Sequence, residues 1–351
     1  VQVGVESDGD GKYPEGKAPR RQPRRKMGGL IMGGADGAQL GTFDLVNLSG
    51  LLRVCEVELV LLDGNGPRAA VHSLVHDEAL FCTIKTGFSG RGRFMLPLDW
   101  CLIGCIHRTR ESASWCHGAP LTDGSLMTLT PDGISEFVLS ADSAITLVMV
   151  PFKRLRQKFS ELHLGDIGAP GLASAHLYLP DDHPLRRYYA ALETRIEGGY
   201  AAMEGLTLDE VLQHHVRGIL DASHFDRAVS GRGRRTHYMI LRRAEEFMRM
   251  NLRHNIYMNE ICDAAGVSER ALRYAFDDLL GISPNRYLSM LRLCAACRGL
   301  SSADAGRKSV KAIALSCGLW DLSRFAENYR RVFGELPRDT LMRRSGCPES
   351  A

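Results

Sequence analysis

The segment Ile261-Cys262-Asp263-Ala264-Ala265-Gly266-Val267-Ser268 is followed by a helical run, Glu269 to Leu280, and a stop, Gly281-Ile282-Ser283-Pro284. A second segment repeats it: Ile313-Ala314-Leu315-Ser316-Cys317-Gly318-Leu319-Trp320, then Asp321 to Phe333, then Gly334-Glu335-Leu336-Pro337. Ile261 pairs with Ile313 and Gly266 with Gly318. Past one extra residue, Leu272 pairs with Phe325, Phe276 with Tyr329, Gly281 with Gly334 and Pro284 with Pro337. Self-similarity at this spacing means two copies of one supersecondary unit.

Each copy holds the parts of a helix-turn-helix. A short apolar helix ends at a Gly, which takes the positive φ of a C-cap without steric cost. Ser268 and Asp321 are suitable N-caps for the following helix. Small residues, Ala264 and Ala265 or Ser316 and Cys317, let two helices cross closely. The second helix turns Leu272 and Phe276, or Phe325 and Tyr329, inward and leaves a polar outer face, and Gly-x-x-Pro stops it. A lone unit of this kind is common among α-hairpins; two with matching caps, core spacing and stops are a specific signal.

This layout resembles the AraC/XylS family of bacterial transcription regulators over about Met239 to Arg344. The resemblance rests on Ile261, Ala265, Gly266, Ser268, Leu272, Phe276, Gly281, Ser283-Pro284, Tyr287, Arg292, Ile313-Ala314, Gly318, Phe325, Phe333, Gly334 and Pro337. It implies seven helices with two recognition helices held by a linking helix, here about Pro284 to Leu300. Two features depart from the pattern. A polar insert, Ser301 to Ser309, lengthens one connection, and Leu319 followed by Trp320 replaces the aromatic residue that usually follows the second Gly.

A recognition helix presents its first two turns to base edges in the major groove. In the first unit the outward positions are Glu269, Arg270, Arg273, Tyr274 and Asp277, with Arg270 and Arg273 suited to bidentate contact with guanine. Similarity to the family's contact positions also points to Arg270, Arg273 and Tyr274. In the second unit Leu322, Ser323, Ala326 and Glu327 occupy the matching face. Leu322 and Ala326 suit thymine methyls, and Glu327 suits the amino group of cytosine. Arg324, Arg330, Arg331 and the helix N-terminus at Ser268 suit phosphates. Two such helices on one rigid domain would enter successive major grooves about 34 Å apart.

Charge agrees with a nucleic-acid partner. The chain of 351 residues has a formal net charge of +3. Between His237 and Arg344, however, 18 Arg and Lys face 12 Asp and Glu. A basic C-terminal part thus sits beside a mildly acidic remainder. Apolar runs such as Leu59 to Leu62 and Ile145 to Val150 are too short to cross a bilayer, and no signal peptide opens the chain. A cytoplasmic protein is expected. Val1 in place of an initiator Met suggests that the natural chain begins upstream. The 10 cysteines are dilute and often lie in apolar stretches, as reduced core residues do.

The N-terminal half reads differently. Val54 to Val60 alternates like a strand. Further strand candidates are Ala79 to Lys85, Arg93 to Leu98, Trp100 to Ile106, Leu126 to Thr130 and Ile145 to Val150, with turn signals at Gly87, Gly90, Gly92 and Asp123-Gly124. Many short strands suggest a small sandwich or barrel with a ligand-sized interior. The family resemblance implies a β-barrel that senses a small molecule or mediates dimerisation. Beyond Phe152, Leu155, Phe159 and Leu162, then Leu185, Tyr188, Tyr189, Leu192 and Ile196, trace helical stripes suited to a dimer interface or to covering the barrel.

A cupin enzyme would place two His two apart, but His72 and His76 are four apart. Alternation puts Cys101, Ile103, Cys105 and His107 on one face, with Cys116 and His117 just beyond. That set could bind a soft metal or respond to oxidants, although core cysteines beside a hydrogen-bonded His account for it better. Cys294 and Cys297 read as packing within the linking helix.

The expected architecture is α+β and multidomain. It comprises a disordered tail, 1–38, with a basic cluster at Arg20, Arg21, Arg24, Arg25 and Lys26; a cupin-like β-barrel sensor or dimerisation domain, 39–152; and a helical region, 153–229. A linker, 230–236, leads to the DNA-binding domain, 237–344, with helix-turn-helix units at about 258–280 and 310–333, and a tail, 345–351, ends the chain. The expected function is a sequence-specific, non-enzymatic transcription regulator, needing no cofactor or metal. Its expected partners are promoter double-stranded DNA, a second copy in a homodimer, an unknown effector and, for an activator, RNA polymerase. A cupin-like enzyme or ligand-binding protein with a structural helical tail is the alternative.

Overall fold

The computed structural model describes residues 41–42, 55, 57–63, 68–110, 112–131, 133–162, 175–222, 232–304 and 306–343. Both tails and the basic cluster at 20–26 lie outside these residues. The strands are β1 (Gly41–Thr42), β2 (Glu58–Leu61), β3 (Ala69–His76), β4 (Ala79–Thr86), β5 (Gly90–Met95), β6 (Trp100–Arg108), β7 (Trp115–Cys116), β8 (Ala119–Pro120), β9 (Ser125–Leu129), β10 (Ile134–Leu139), β11 (Ala144–Pro151) and β12 (Ala175–Tyr178). The helices are α1 (Phe152–Glu161), α2 (Pro184–Glu197), α3 (Tyr200–Met203), α4 (Leu208–Ala222), α5 (Arg232–Met250), α6 (Met258–Ala265), α7 (Glu269–Leu280), α8 (Pro284–Ser301), α9 (Val310–Ser316), α10 (Leu322–Phe333) and α11 (Pro337–Arg343). No described helix is long and apolar enough to cross a membrane.

The strands form two antiparallel sheets, ordered β1-β3-β4-β11-β6-β9-β12 and β2-β5-β10-β7-β8. This corrects the expected barrel. Among the described residues neither strand order returns to its first member, so the sheets face one another as two open layers. Side chains from both inner faces, including Leu59, Phe94 and Phe137 from one sheet and Leu102, Leu129 and Leu147 from the other, line a common apolar interior. Strand alternation sends the opposite set outward. Phe81, Cys101, Ile103, Cys105, Val148 and Val150 leave the back of the seven-stranded sheet and join Leu155, Leu185, Tyr189, Leu192, Ile196, Leu212 and Val216 in one core. The helical stripes therefore cover a sheet. Within that layer His215 is buried between the Thr128 hydroxyl, 2.9 Å away, and the Tyr189 hydroxyl, 2.7 Å away. Burial lowers its pKa to about 3, so it packs as a neutral imidazole.

Several strands differ from their expected positions for a physical reason. β5 starts at Gly90, although Gly90 and Gly92 read as turn signals. A Cβ at Gly92 would lie 2.0 Å from the Phe137 ring, so this strand needs Gly where the ring covers its backbone. β10 is not among the expected strands, and its polar residues Ser135 and Glu136 are buried. The segment read as a linker is already helical from Arg232, where α5 begins. The cysteines do not form one cluster. Cys101 and Cys105 face the helical layer, whereas Cys116 lies in the other sheet and lines the interior. Burial raises all three thiols, Cys105 to about 12, which opposes thiolate chemistry. His107 instead contacts the Thr146 hydroxyl at 2.8 Å. No group of three metal-ligating side chains occurs among the described residues.

Candidate nucleic-acid interface

The two turns close with the same hydrogen bonds. After α6, the Gly266 N–H donates to Asp263 O and the Val267 N–H to Cys262 O, each at 3.1 Å. After α9, the Gly318 N–H donates to Leu315 O at 3.1 Å and the Leu319 N–H to Ala314 O at 3.0 Å. Both glycines have left-handed backbones, with φ of 69° and 73°. The six-to-one bond satisfies carbonyls that a helix end leaves unpaired. Gly318 has a second constraint, because a Cβ there would lie 2.2 Å from the Leu252 carbonyl oxygen.

The following helices start on side-chain caps. The Ser268 hydroxyl accepts from the Ala271 N–H, and the Asp321 carboxylate accepts from the Arg324 N–H at 3.0 Å. Such caps each contribute about 1 kcal/mol. The longer connection after α8 ends similarly, with Ser309 accepting from the Ala312 N–H at 3.1 Å. The inward stripes are buried: Leu272, Phe276 and Leu279 on α7, and Phe325, Tyr329 and Val332 on α10. Cys294 and Cys297 are buried along α8, between the two units.

The outer faces carry the sequence-selected residues. Ser268, Glu269, Arg270, Arg273, Tyr274 and Asp277 are exposed. Arg270 stacks on the Tyr274 ring, its guanidinium carbon 5.5 Å from the centroid. Arg273 pairs with Glu269 at 2.5 Å. These residues and Ser283 outline a shallow polar concavity on α7. On α10, Ser323, Arg324, Glu327, Arg330 and Arg331 are exposed, and Leu322 and Ala326 are half-buried. Trp320, just ahead of α10, is exposed as well. Charge and reach are thus concentrated on the first helix, with a smoother second face flanked by arginines.

A family model described as "Helix-turn-helix domain" matches residues 261–343. The chain is 28% identical over 301 residues to the XylDLEGF operon transcriptional activator 1 of Pseudomonas putida, covering 79% of this chain and 86% of that one. A probable AraC family transcriptional regulator of known structure from Rhodopseudomonas palustris is 35% identical over 30% of this chain and 95% of its own, with TM-score 0.27. A transcriptional regulator from Chromobacterium violaceum, described as of the AraC-type DNA-binding domain class, is 31% identical over 30% of this chain and 93% of its own, with TM-score 0.28. The C-terminal part of the chain is thus a DNA-binding helix-turn-helix domain of AraC/XylS type.

This AraC/XylS regulator is a sequence-specific DNA-binding protein, and it holds its first recognition helix by the rear. The Trp115 indole N–H, from β7, donates to the Leu279 carbonyl in the last turn of α7 at 2.7 Å. His237 on α5 contacts Asp278 at 2.8 Å. Deeper in, Arg91 of β5 meets Glu245 of α5 at 2.8 Å and Glu136 of β10 at 3.3 Å. Glu245 also meets Arg249 at 2.8 Å and accepts from the Tyr287 hydroxyl of α8. Glu58 of β2 accepts from Arg249, and from Arg298 at 2.9 Å. The Tyr238 hydroxyl donates to Glu136 at 2.6 Å.

Sequence inspection missed this network. One signal was present: Glu245 stands on the buried stripe of α5 with Leu241, Ala244 and Met248. Burial alone would raise its pKa. The neighbouring Arg91 and Arg249, with the Tyr287 hydroxyl, outweigh that and hold the carboxyl at about 2.

Proposed function

We propose that the regulator reads promoter DNA through two major-groove helices of unequal weight, and that its β-rich half senses a small molecule and supports a homodimer. The observation carrying this reading is the pair of exposed polar faces on α7 and α10, behind turns with identical hydrogen bonds. Arg270, Arg273 and Tyr274 are the base-reading group of the first helix, and Glu269 lies at the same interface, paired with Arg273. Leu322, Ser323, Ala326 and Glu327 make a weaker readout on the second. Arg324, Arg330, Arg331 and the Ser268 end of α7 hold phosphates. The names of the Pseudomonas putida relatives support an activator, which would contact RNA polymerase. Such a protein acts in the cytoplasm and is not an enzyme. The facing sheets serve as a cupin-like sensor.

Selection of bound sites from random duplexes, followed by titration across salt concentrations, tests the interface. Each phosphate neutralised contributes about −0.9 to the slope of log affinity against log salt. A steep negative slope is expected, and a flat one would contradict phosphate contact. On a selected site Arg270→Ala should cost about 1–3 kcal/mol and relax preference at one base pair. Equal losses on selected and unrelated duplexes would remove its base-reading role.

Arg273 needs to exchange Glu269 for a base, so Glu269→Ala should strengthen binding to duplexes with guanine at that position. Unchanged affinity there would show that the pair does not restrain Arg273.

A further inference from the structure

The five-stranded sheet has two faces with different duties. Its inner face bounds an apolar cavity of about 100 Å³. Its outer face carries the DNA-binding domain. Alternation assigns neighbouring residues to opposite sides. On β2, Leu59 lines the cavity while Glu58 meets Arg298 of α8. On β10, Phe137 lines it while Glu136 accepts from Tyr238 of α5. On β7, Cys116 lines it while Trp115 reaches the last turn of α7.

We propose that this cavity binds an uncharged, apolar molecule of about one ring, and that its occupancy is transmitted through the sheet to the recognition helix. The proposal rests on the sensor reading above and adds the ligand class and the route. The ligand class follows from the wall, whose described residues include no charged side chain. Its one hydroxyl, Thr86, is already engaged with the Ser140 carbonyl at 3.0 Å. A carboxylate or ammonium would lose its water there without gaining a partner.

Size follows from the volume, since an apolar cavity of about 150 Å³ accepts benzene in another protein. The route follows from Phe137, whose ring lies on the backbone of Gly92 and leaves no room for a Cβ. Gly92 sits between Arg91 and Arg93, both paired with Glu136. A ligand that moves this ring therefore presses on the strand that holds the arginines.

The test uses the full chain with benzene as the neutral probe and phenylacetate and benzylammonium as charged ones. Benzene should raise the thermal midpoint saturably and change affinity for a selected duplex at least about 5-fold. The charged probes should bind at least about 100-fold more weakly. Ala69 of β3 also lines the cavity, and Ala69→Leu should abolish benzene binding and spare duplex binding without ligand. Should that variant not fold, Leu129→Ala should extend binding to naphthalene. Trp115→Phe should keep benzene binding and lose the change in duplex affinity.

Equal binding of a charged probe overturns the ligand class, and no benzene binding overturns the site. Benzene binding with unaltered duplex affinity overturns the route. In any of these cases another small molecule that alters duplex affinity leaves the sensor reading standing. Failure of every molecule in a broad panel to do so would instead remove the sensor reading itself.

Discussion

Glu245→Ala is expected to destabilise the folded chain by about 3–5 kcal/mol, measured by urea unfolding at neutral pH. The carboxylate is 1% exposed and Arg91, its partner, is 0% exposed. Removing it leaves Arg91 and Arg249 with less compensating charge in a site where water cannot replace it. The cost comes mainly from those stranded guanidiniums. A surface ion pair would contribute no more than about 1 kcal/mol. Glu245→Gln, which keeps an acceptor for the Tyr287 hydroxyl, should fall between the two. A loss under about 1 kcal/mol for Glu245→Ala would mean that the network does not hold the sheet to the helices.

Acid should reproduce the effect. The folded carboxyl titrates at about 2 against an ordinary 4.5. Its contribution is therefore fully present above pH 4.5 and is lost as pH falls toward 2. Wild type should lose stability more steeply than Glu245→Gln across that window. Parallel acid profiles would contradict the assignment.

Gly318→Ala is expected to cost about 2–6 kcal/mol and to weaken the second helix-turn-helix in particular. A left-handed backbone strains any residue with a Cβ by about 1–3 kcal/mol, and forced overpacking adds a similar amount. Here the added carbon would press on the Leu252 carbonyl oxygen at 2.2 Å, with Arg292 at 3.0 Å behind it. The Arg292 side chain can move, but the carbonyl belongs to the turn after α5. Relief must therefore displace α9 and α10 relative to α5. Unfolding should show the stability loss. Footprints on a selected duplex should shorten on the α10 side while protection by α7 remains. A variant as stable as wild type with a complete footprint would show that the turn tolerates the shift.

The DNA-binding half was legible because its determinants are local. A cap lies three residues from the N–H it satisfies, as Ser268 does from Ala271, and a C-cap Gly lies within six residues of the carbonyls it closes. The inward pairs Leu272 and Phe276, or Phe325 and Tyr329, recur at helical spacing. Even the departures were local, since the insert ends at Ser309 on an ordinary cap. The β-rich half was less legible because burial there is conferred by distant segments. β10 was not expected as a strand, since its Ser135 and Glu136 break the apolar pattern and Glu136 is covered only by the distant Tyr238 and Arg91. Gly92 read as a turn because only Phe137, far along the chain, makes a strand glycine necessary. Cys101, Cys105 and Cys116 looked like one cluster because period-two alternation says nothing about which sheet a strand joins.

The chain's own residue order determined two helix-turn-helix units, their caps and which side chains face outward, since hydrogen bonds within a few residues and helical periodicity decide those features. Tertiary structure alone decided that one thin sheet would stand between an apolar interior and the rear of the first recognition helix. That placement needs Arg91 to meet Glu245, and Trp115 to meet Leu279, across more than a hundred residues of intervening chain. Contacts at such separation come from the packing of whole layers, which no local pattern encodes.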